Sequence, residues 1–132
     1  MLSGGFMTAP KLNLTINGND VELVFGVRFV HELNKAFGIE RDGFNIGMGF
    51  TLILPPLLQY DPDALAKVIY CAAYKNSPRP TMEQIYDSLD ELDDLEQTFD
   101  EVMGCLKASS ATKRTLATLT KAEEQAEKQK SN

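Results

Sequence analysis

Few residues in this sequence have the types and spacing that catalysis requires. His31 is the only histidine among the 132 residues, and no Cys, Asp or Glu stands at a metal-ligand spacing from it. A serine or cysteine nucleophile would need a nearby base, and the chain offers a single histidine for that role. The serines fall in apparent caps, loops and chain ends rather than at a strand-to-helix elbow. We therefore expect no enzyme activity, and we interpret His31 as a surface or structural residue.

Cofactor and metal sites are also without a supporting motif. Gly43, Gly47 and Gly49 lie in GFNIGMGF, but neither GxGxxG nor GxxxxGK[ST] is present, and no basic residue follows to meet a phosphate. Close backbone packing or local flexibility is the simpler interpretation of these glycines. Cys71 and Cys105 lack CxxC spacing and sit in apolar helical contexts, so we interpret both as buried thiols. We expect no cofactor and no metal ion.

The strongest charge feature is an acidic run between residues 83 and 101, which no Lys or Arg interrupts. It consists of Glu83, Asp87, Asp90, Glu91, Asp93, Asp94, Glu96, Asp100 and Glu101. The DxDxDG pattern of a calcium loop is absent. The plain interpretation is a solvated helix face, and the functional one is a docking face for a basic partner or a neighbouring subunit. Asp90, Asp93 and Asp94 are the partner-binding candidates within it.

Charge and hydropathy exclude several other classes of protein. The formal net charge of −6 makes the molecule a poor ligand for nucleic-acid phosphates or anionic lipid. MLSGGFM lacks the basic start of a signal peptide. The longest apolar run, FTLILPPLL, is far shorter than the roughly 20 residues that span a bilayer. We expect a cytoplasmic protein with neither nucleic acid nor membrane as a partner.

The elements that would position any site begin with a β-hairpin. Apolar and polar residues alternate in KLNLTI and again in NDVELVF, which is the period of a half-buried strand. Asn17-Gly18 between them supplies two residues that tolerate positive φ, the strongest short-range hairpin signal. Residues 1–10 carry glycines and a proline without periodicity, so we expect a flexible leader there.

The rest of the sequence predicts helices. Val27, Val30, Leu33 and Phe37 are spaced for one helix face, with Gly38 as the stop. Residues 39–49 read as a Gly-rich connector or a frayed helix start, and residues 50–60 as a short buried helix containing two prolines. Three further helices follow, opened by Asp61-Pro62, by the capping box of Thr81 and Gln84, and near Leu95.

The chain changes character after Lys107, where large apolar residues become rare apart from Leu116 and Leu119. Such a segment can form a helix but buries little by itself. We therefore predict a hairpin plus helical domain over residues 11–107 and an exposed helical or partly disordered tail over 108–132. The fold class is α+β, mainly α: an N-terminal β-hairpin followed by a bundle of about five helices.

The ordered combination of these features resembles the tail assembly chaperones of long-tailed phages and of prophages of Gram-positive bacteria. The resemblance covers about residues 11–115 and rests most on FGVRFVHEL, on GMG before the apolar helix, on DPDALAKVIYCAAY, and on ATK near the tail. The leader MLSGGFMTAP precedes the usual start of the family's hairpin. A small phage-encoded regulatory or DNA-binding helical protein is the alternative, although its basic stripe is missing.

The resemblance implies a protein that binds the long tape-measure protein, keeps it soluble and promotes polymerisation of the tail tube around it. It also implies a longer form, made by a programmed ribosomal frameshift, that recruits the tail-tube protein. This chain would then be the short form, present in the host bacterial cytoplasm and absent from the mature virion. A homo-oligomer is also plausible for a protein that coats a long chain, although no interface can be read from the sequence.

A spare apolar surface would suit such a client, since a tape-measure protein is expected to be a long helical chain with apolar stripes. The candidate contact residues are Phe44, Ile46, Met48 and Phe50, together with Leu116 and Leu119 of the tail. Ordinary core packing is the competing interpretation of the first four.

Overall fold

The computed structural model describes residues 8–130, the side chain of Lys130 excepted, so most of the predicted leader lies outside the described residues. Within these described residues, two short antiparallel sheets and six helices follow one another. Their order is β1 (Lys11–Ile16), β2 (Asn19–Val24), α1 (Val27–Phe37), β3 (Ile39–Arg41), β4 (Phe44–Gly47), α2 (Gly49–Leu58), α3 (Pro62–Ala72), α4 (Met82–Asp90), α5 (Leu95–Ala108) and α6 (Lys113–Lys130). The predicted class, mainly α with an N-terminal hairpin, is confirmed.

The first hairpin forms as the sequence predicts. β1 and β2 pair antiparallel around Asn17 and Gly18, whose φ angles of 53° and 77° are those of a two-residue turn with both central residues left-handed. This turn keeps the apolar rows of both strands on one face, which packs on the helices. Pro10 extends the pairing, because its carbonyl accepts a hydrogen bond from the Phe25 N–H at 2.9 Å.

Residues 39–47 correct the sequence prediction of a connector or frayed helix start. They form a second hairpin, β3 and β4, around Asp42 and Gly43, which adopt φ angles of 54° and 83°. Asp-Gly is the same turn signal as Asn-Gly. The high density of glycines in this segment outweighed that turn signal, because it suggested a flexible connector.

One of the four residues predicted for the inner face of α1 lies outside the core. Phe29 and Leu33 are fully buried and Val30 and Phe37 half-buried, but Val27 is 78% exposed. Val27 is the first residue of the helix and lies beyond the edge of the core. Glu32 is buried instead, which an apolar periodicity cannot predict.

The central helices follow their predicted caps. The Asp61 side chain accepts a hydrogen bond from the Asp63 N–H at 2.9 Å, with Pro62 in the first turn of α3. Thr81 and Gln84 form the complete capping box of α4. Pro55 and Pro56 lie inside α2, which remains one helix. Within residues 8–130 no helix combines the length and the apolar character needed to cross a bilayer.

The core is organised around α3. Seven of its eleven residues are buried: Ala64, Leu65, Ala66, Val68, Ile69, Cys71 and Ala72. α1, α2, α4 and β2 all pack against this helix. α6 begins on the same bundle, because Leu116 is only 4% exposed and packs with the core cluster. The segment 108–132 therefore contains a helix whose first turns are docked, while its later turns are exposed.

Glu32 ties α1 to the loop that joins α3 and α4. Its carboxylate accepts hydrogen bonds from Arg28 at 3.1 Å and from Arg79 at 3.0 Å. Arg79 also donates to the Tyr70 carbonyl at 2.7 Å and stacks over the Tyr70 ring. Burial opposes ionisation of Glu32, but the hydrogen bonds from Arg28 and Arg79 outweigh it, so the pKa of Glu32 is lowered below its usual 4.5.

Two valines provide a matched test of where the core lies. Val68→Ala removes buried methyl groups from α3, so we expect the free energy of unfolding to fall by about 2 kcal/mol. Val27→Ala should change it by less than about 0.5 kcal/mol, because that side chain is exposed. Urea denaturation followed by circular dichroism measures both. Equal losses of unfolding free energy for the two variants would contradict the exposure of Val27 on α1.

Glu32→Gln tests the buried ion pair. At pH 7 the variant should lose about 1–3 kcal/mol of unfolding free energy, since it leaves two arginines without a charged acceptor. Because the pKa of Glu32 is lower in the folded state, its contribution is complete above about 4.5 and is lost as the pH falls through the folded-state pKa. The difference between wild type and variant should therefore shrink below pH 4.5. Glu124→Gln, on an exposed part of α6, serves as the control.

Candidate client-binding surface

An apolar surface is exposed along β4 and the first turn of α2. It comprises Phe44, Ile46, Met48 and Leu52, of which Phe44 is the most exposed at 72%. Phe44 and Ile46 lie two residues apart on β4, so they share one face of the strand. Leu52 lies one turn beyond Met48, whose carbonyl accepts the Leu52 N–H at 2.9 Å. We call these four residues the hairpin surface.

Asn34 on α1 holds the hairpin surface in place. Its side-chain oxygen accepts a hydrogen bond from the Gly49 N–H at 2.8 Å, and its carbonyl accepts one from the Asn45 side-chain amide at 2.8 Å. Asn45 in turn accepts the Gly47 N–H at 2.7 Å. One residue therefore fixes both β4 and the start of α2, and a fixed apolar surface loses less conformational freedom on binding than a mobile loop.

Two glycines permit this arrangement. Gly47 has a φ of +80°, a conformation that residues with a Cβ rarely adopt. Gly49 is buried so closely on α1 that a Cβ would overlap the Leu33 carbonyl. Close backbone packing, rather than a phosphate site, therefore accounts for the glycine at position 49.

Not every predicted contact residue lies on this surface. Phe50 is 5% exposed and packs edge-to-face with Phe29 at a ring distance of 6.4 Å, so it belongs to the core and cannot meet a client. Leu116 is buried too, and Leu119 is half-buried beside the core. Leu52 is the exposed residue that the sequence analysis missed. The helical spacing from Met48 was the available signal, but the continuous apolar stretch suggested burial of the whole segment.

The acidic run lies on the surface throughout. All nine of its carboxylate residues are exposed, and none of them forms an ion pair with a cation among the described side chains. Asp90 ends α4, Asp93 lies in the connection to α5, and Asp94 caps α5 by accepting the Gln97 N–H at 3.1 Å. A face with nine uncompensated carboxylates attracts basic groups in a salt-dependent manner.

His31, Cys71 and Cys105 are the residues whose types could do chemistry. His31 is exposed, as predicted. Cys71 is buried and Cys105 half-buried, and burial raises the pKa of the Cys71 thiol to about 12 and that of Cys105 in the same direction. Neither is activated as a nucleophile at neutral pH. Within the described residues no three His, Cys, Asp or Glu side chains are grouped so that they could hold a metal ion.

Comparison with known proteins gives the family of this chain. The family model of the phage tail assembly chaperone protein, TAC, matches residues 13–121. This covers most of the chain, from β1 to the middle of α6, so the chain belongs to that family. No curated protein and no solved structure matches it significantly. Its general role is accordingly phage tail assembly, which implies binding to tail proteins.

Gly49→Ala tests the close packing of Gly49 on α1, next to the hairpin surface. The added Cβ meets backbone atoms of α1 that cannot rotate away, so we expect a loss of at least about 2 kcal/mol of unfolding free energy. Gly104→Ala is the matched control, since it lies in α5 with nothing within 4 Å of the added Cβ. That variant should gain up to about 1 kcal/mol from helix propensity. Chemical denaturation of both variants gives the comparison, and a tolerated Gly49→Ala would contradict the close packing.

Proposed function

We propose that this chain binds the tape-measure protein of its phage, keeps it soluble and promotes polymerisation of the tail tube around it. The hairpin surface is the single observation that carries the proposal. Its four exposed apolar side chains lie on β4 and the start of α2, which Asn34 holds together, while the remaining large apolar residues of the domain are mostly in the core. A rigid apolar surface of this kind suits an apolar stripe on a helical client.

The same proposal includes the partners and the place of action. The tail-tube protein is recruited through a longer form of the chain made by a programmed frameshift. Assembly takes place in the host bacterial cytoplasm, and the chaperone is not retained in the mature virion. Binding, without catalysis, accounts for the whole activity. Copies of the chain associate with one another where several coat one long client.

Co-expression with the tape-measure protein tests the proposal. The soluble fraction of the tape-measure protein, measured after centrifugation, should rise when the chain is present, because its apolar stripes are then covered. A variant with Phe44→Ser, Ile46→Ser and Leu52→Ser should lose most of this effect, at least about fivefold, since exposed apolar anchors dominate such contacts. Met48 is left in place because its left-handed φ of 69° is part of the turn into α2.

Val27→Ser provides the control for the serine variant. It removes an apolar side chain that is more exposed than any in the hairpin surface but lies outside it, so it should leave the rescue intact. Absence of rescue by either the short or the longer form would refute the proposed function. Full rescue by the triple variant would refute only the role of the hairpin surface and would leave the proposed function standing.

A further inference from the structure

A groove separate from the hairpin surface runs between β1 and the α4–α5 pair. Its volume is about 390 Å³. Leu14, Ile85, Leu89 and Leu92 give it an apolar floor. Its rim carries Asp93, Asp94 and Glu101.

One wall of the groove is the outer edge of β1. The residues that flank a two-residue hairpin turn exchange both backbone hydrogen bonds, and bonded pairs then alternate along the ladder. The register pairs Ile16 with Asn19 and Leu14 with Val21, so these residues bond across the hairpin. Asn13 and Thr15 fall between them and direct their backbone N–H and C=O groups away from β2.

Three hydrogen bonds agree with this assignment. The Phe25 N–H donates to the Pro10 carbonyl, as the alternation requires. Glu22, which pairs with Asn13, has both backbone groups directed outward. Its N–H donates to the Asn76 side-chain oxygen at 3.1 Å, and its carbonyl accepts from the Asn76 amide at 2.8 Å.

On the β2 edge, Asn76 meets the backbone of Glu22 with the hydrogen-bonding pattern of a neighbouring strand. On the β1 edge, Ser88 accepts the Asn17 N–H at one end, and the Cys105 thiol lies 4.0 Å from the Lys11 carbonyl at the other. Among the described residues nothing bonds the backbone of Asn13 or Thr15 in the stretch between. An uncovered strand edge is a template for adding another strand.

We propose that this edge binds an extended segment of a partner protein, which adds as a third strand beside β1. The segment alternates apolar with basic residues: apolar side chains enter the floor, and Lys or Arg side chains meet the acidic rim. Backbone hydrogen bonds give affinity in this mode of recognition, and pockets for alternate side chains give specificity. The chain's own cations from Lys107 to Lys128 lie on helices α5 and α6, so they do not form such an extended segment.

A labelled seven-residue peptide of alternating lysine and valine tests the proposal by fluorescence anisotropy. It should bind the full chain. A glutamate–valine peptide should bind at least tenfold more weakly, because it meets the rim with the wrong charge. A lysine–valine peptide N-methylated on the residues that face β1 keeps the charge but loses the backbone donors, and it should also weaken by at least tenfold. No binding of the first peptide, or equal binding of the N-methylated one, would overturn the proposal.

Variants of the chain locate the site. Thr15→Pro deletes one outward N–H without touching the β1–β2 ladder, so binding should weaken about five- to tenfold. Asp20→Pro deletes an outward N–H at the paired position on the opposite edge, and it should leave binding within about twofold. If Thr15→Pro does not fold, hydrogen exchange decides: bound peptide should protect the Asn13 and Thr15 amides of the wild type, and unchanged exchange there would count against the site.

The rim is tested by charge. Asp93→Asn with Asp94→Asn and Glu101→Gln should weaken the lysine–valine peptide at least tenfold and flatten its salt dependence. The asparagine at 94 preserves the cap of α5. Glu83→Gln with Asp87→Asn and Asp100→Asn removes the same charge outside the groove and should have a smaller effect. Equal effects of the two sets would show general attraction to the acidic face and refute a defined groove. The hairpin-surface variant should bind the peptide normally, so this proposal and the proposed function fail independently.

Discussion

Helix α3 is buried over most of its circumference, and its small residues determine how closely the other elements can approach it. Ala64, Ala66 and Ala72 have no rotamer freedom to lose and leave room for neighbouring backbones. Leu65, Val68 and Ile69 fill the remaining space at the density of a protein interior. The first hairpin and helices α1, α2 and α4 are all placed by contact with this one helix. Both candidate surfaces are therefore borne by elements that a single core holds together.

The distribution of charge follows from that packing. Arg28 and Arg79 are both engaged by Glu32, and Arg79 is further committed to the Tyr70 carbonyl and ring. These cations are consequently not available to the acidic run on α4 and α5, which has no Lys or Arg of its own. The nine exposed carboxylates of that run therefore leave an excess of negative charge on this part of the surface. Such an excess keeps protein molecules apart and favours basic partners.

Local signals predicted a large part of this fold. Three of these signals act within a few residues, and the predicted element is present at each of them: Asn17-Gly18, the Asp61 cap and the Thr81–Gln84 capping box. The failures involve long-range contacts. Glu32 is buried because Arg79, far along the chain, reaches it, and Leu116 is buried because α6 returns to the bundle. The second hairpin is different: Asp42-Gly43 signalled it, but three-residue and four-residue strands are too short to show a convincing alternation. Of the candidate contact residues, Phe44, Ile46 and Met48 are exposed. Phe50 is buried in the core, where its ring packs beside that of Phe29.

The two surfaces differ in the physics by which they would hold a partner. Contacts on the hairpin surface are apolar and weakly sensitive to salt, and they need no particular backbone conformation in the client. The groove beside β1 offers directional backbone hydrogen bonds and an acidic rim, so it selects an extended basic segment and weakens as ionic strength rises. Under the proposed function, the chain holds its client and then releases it as the tube closes. Release is easier to arrange when a non-specific apolar contact and a specific polar contact lie on separate elements, because an incoming subunit can displace either one without unfolding the domain.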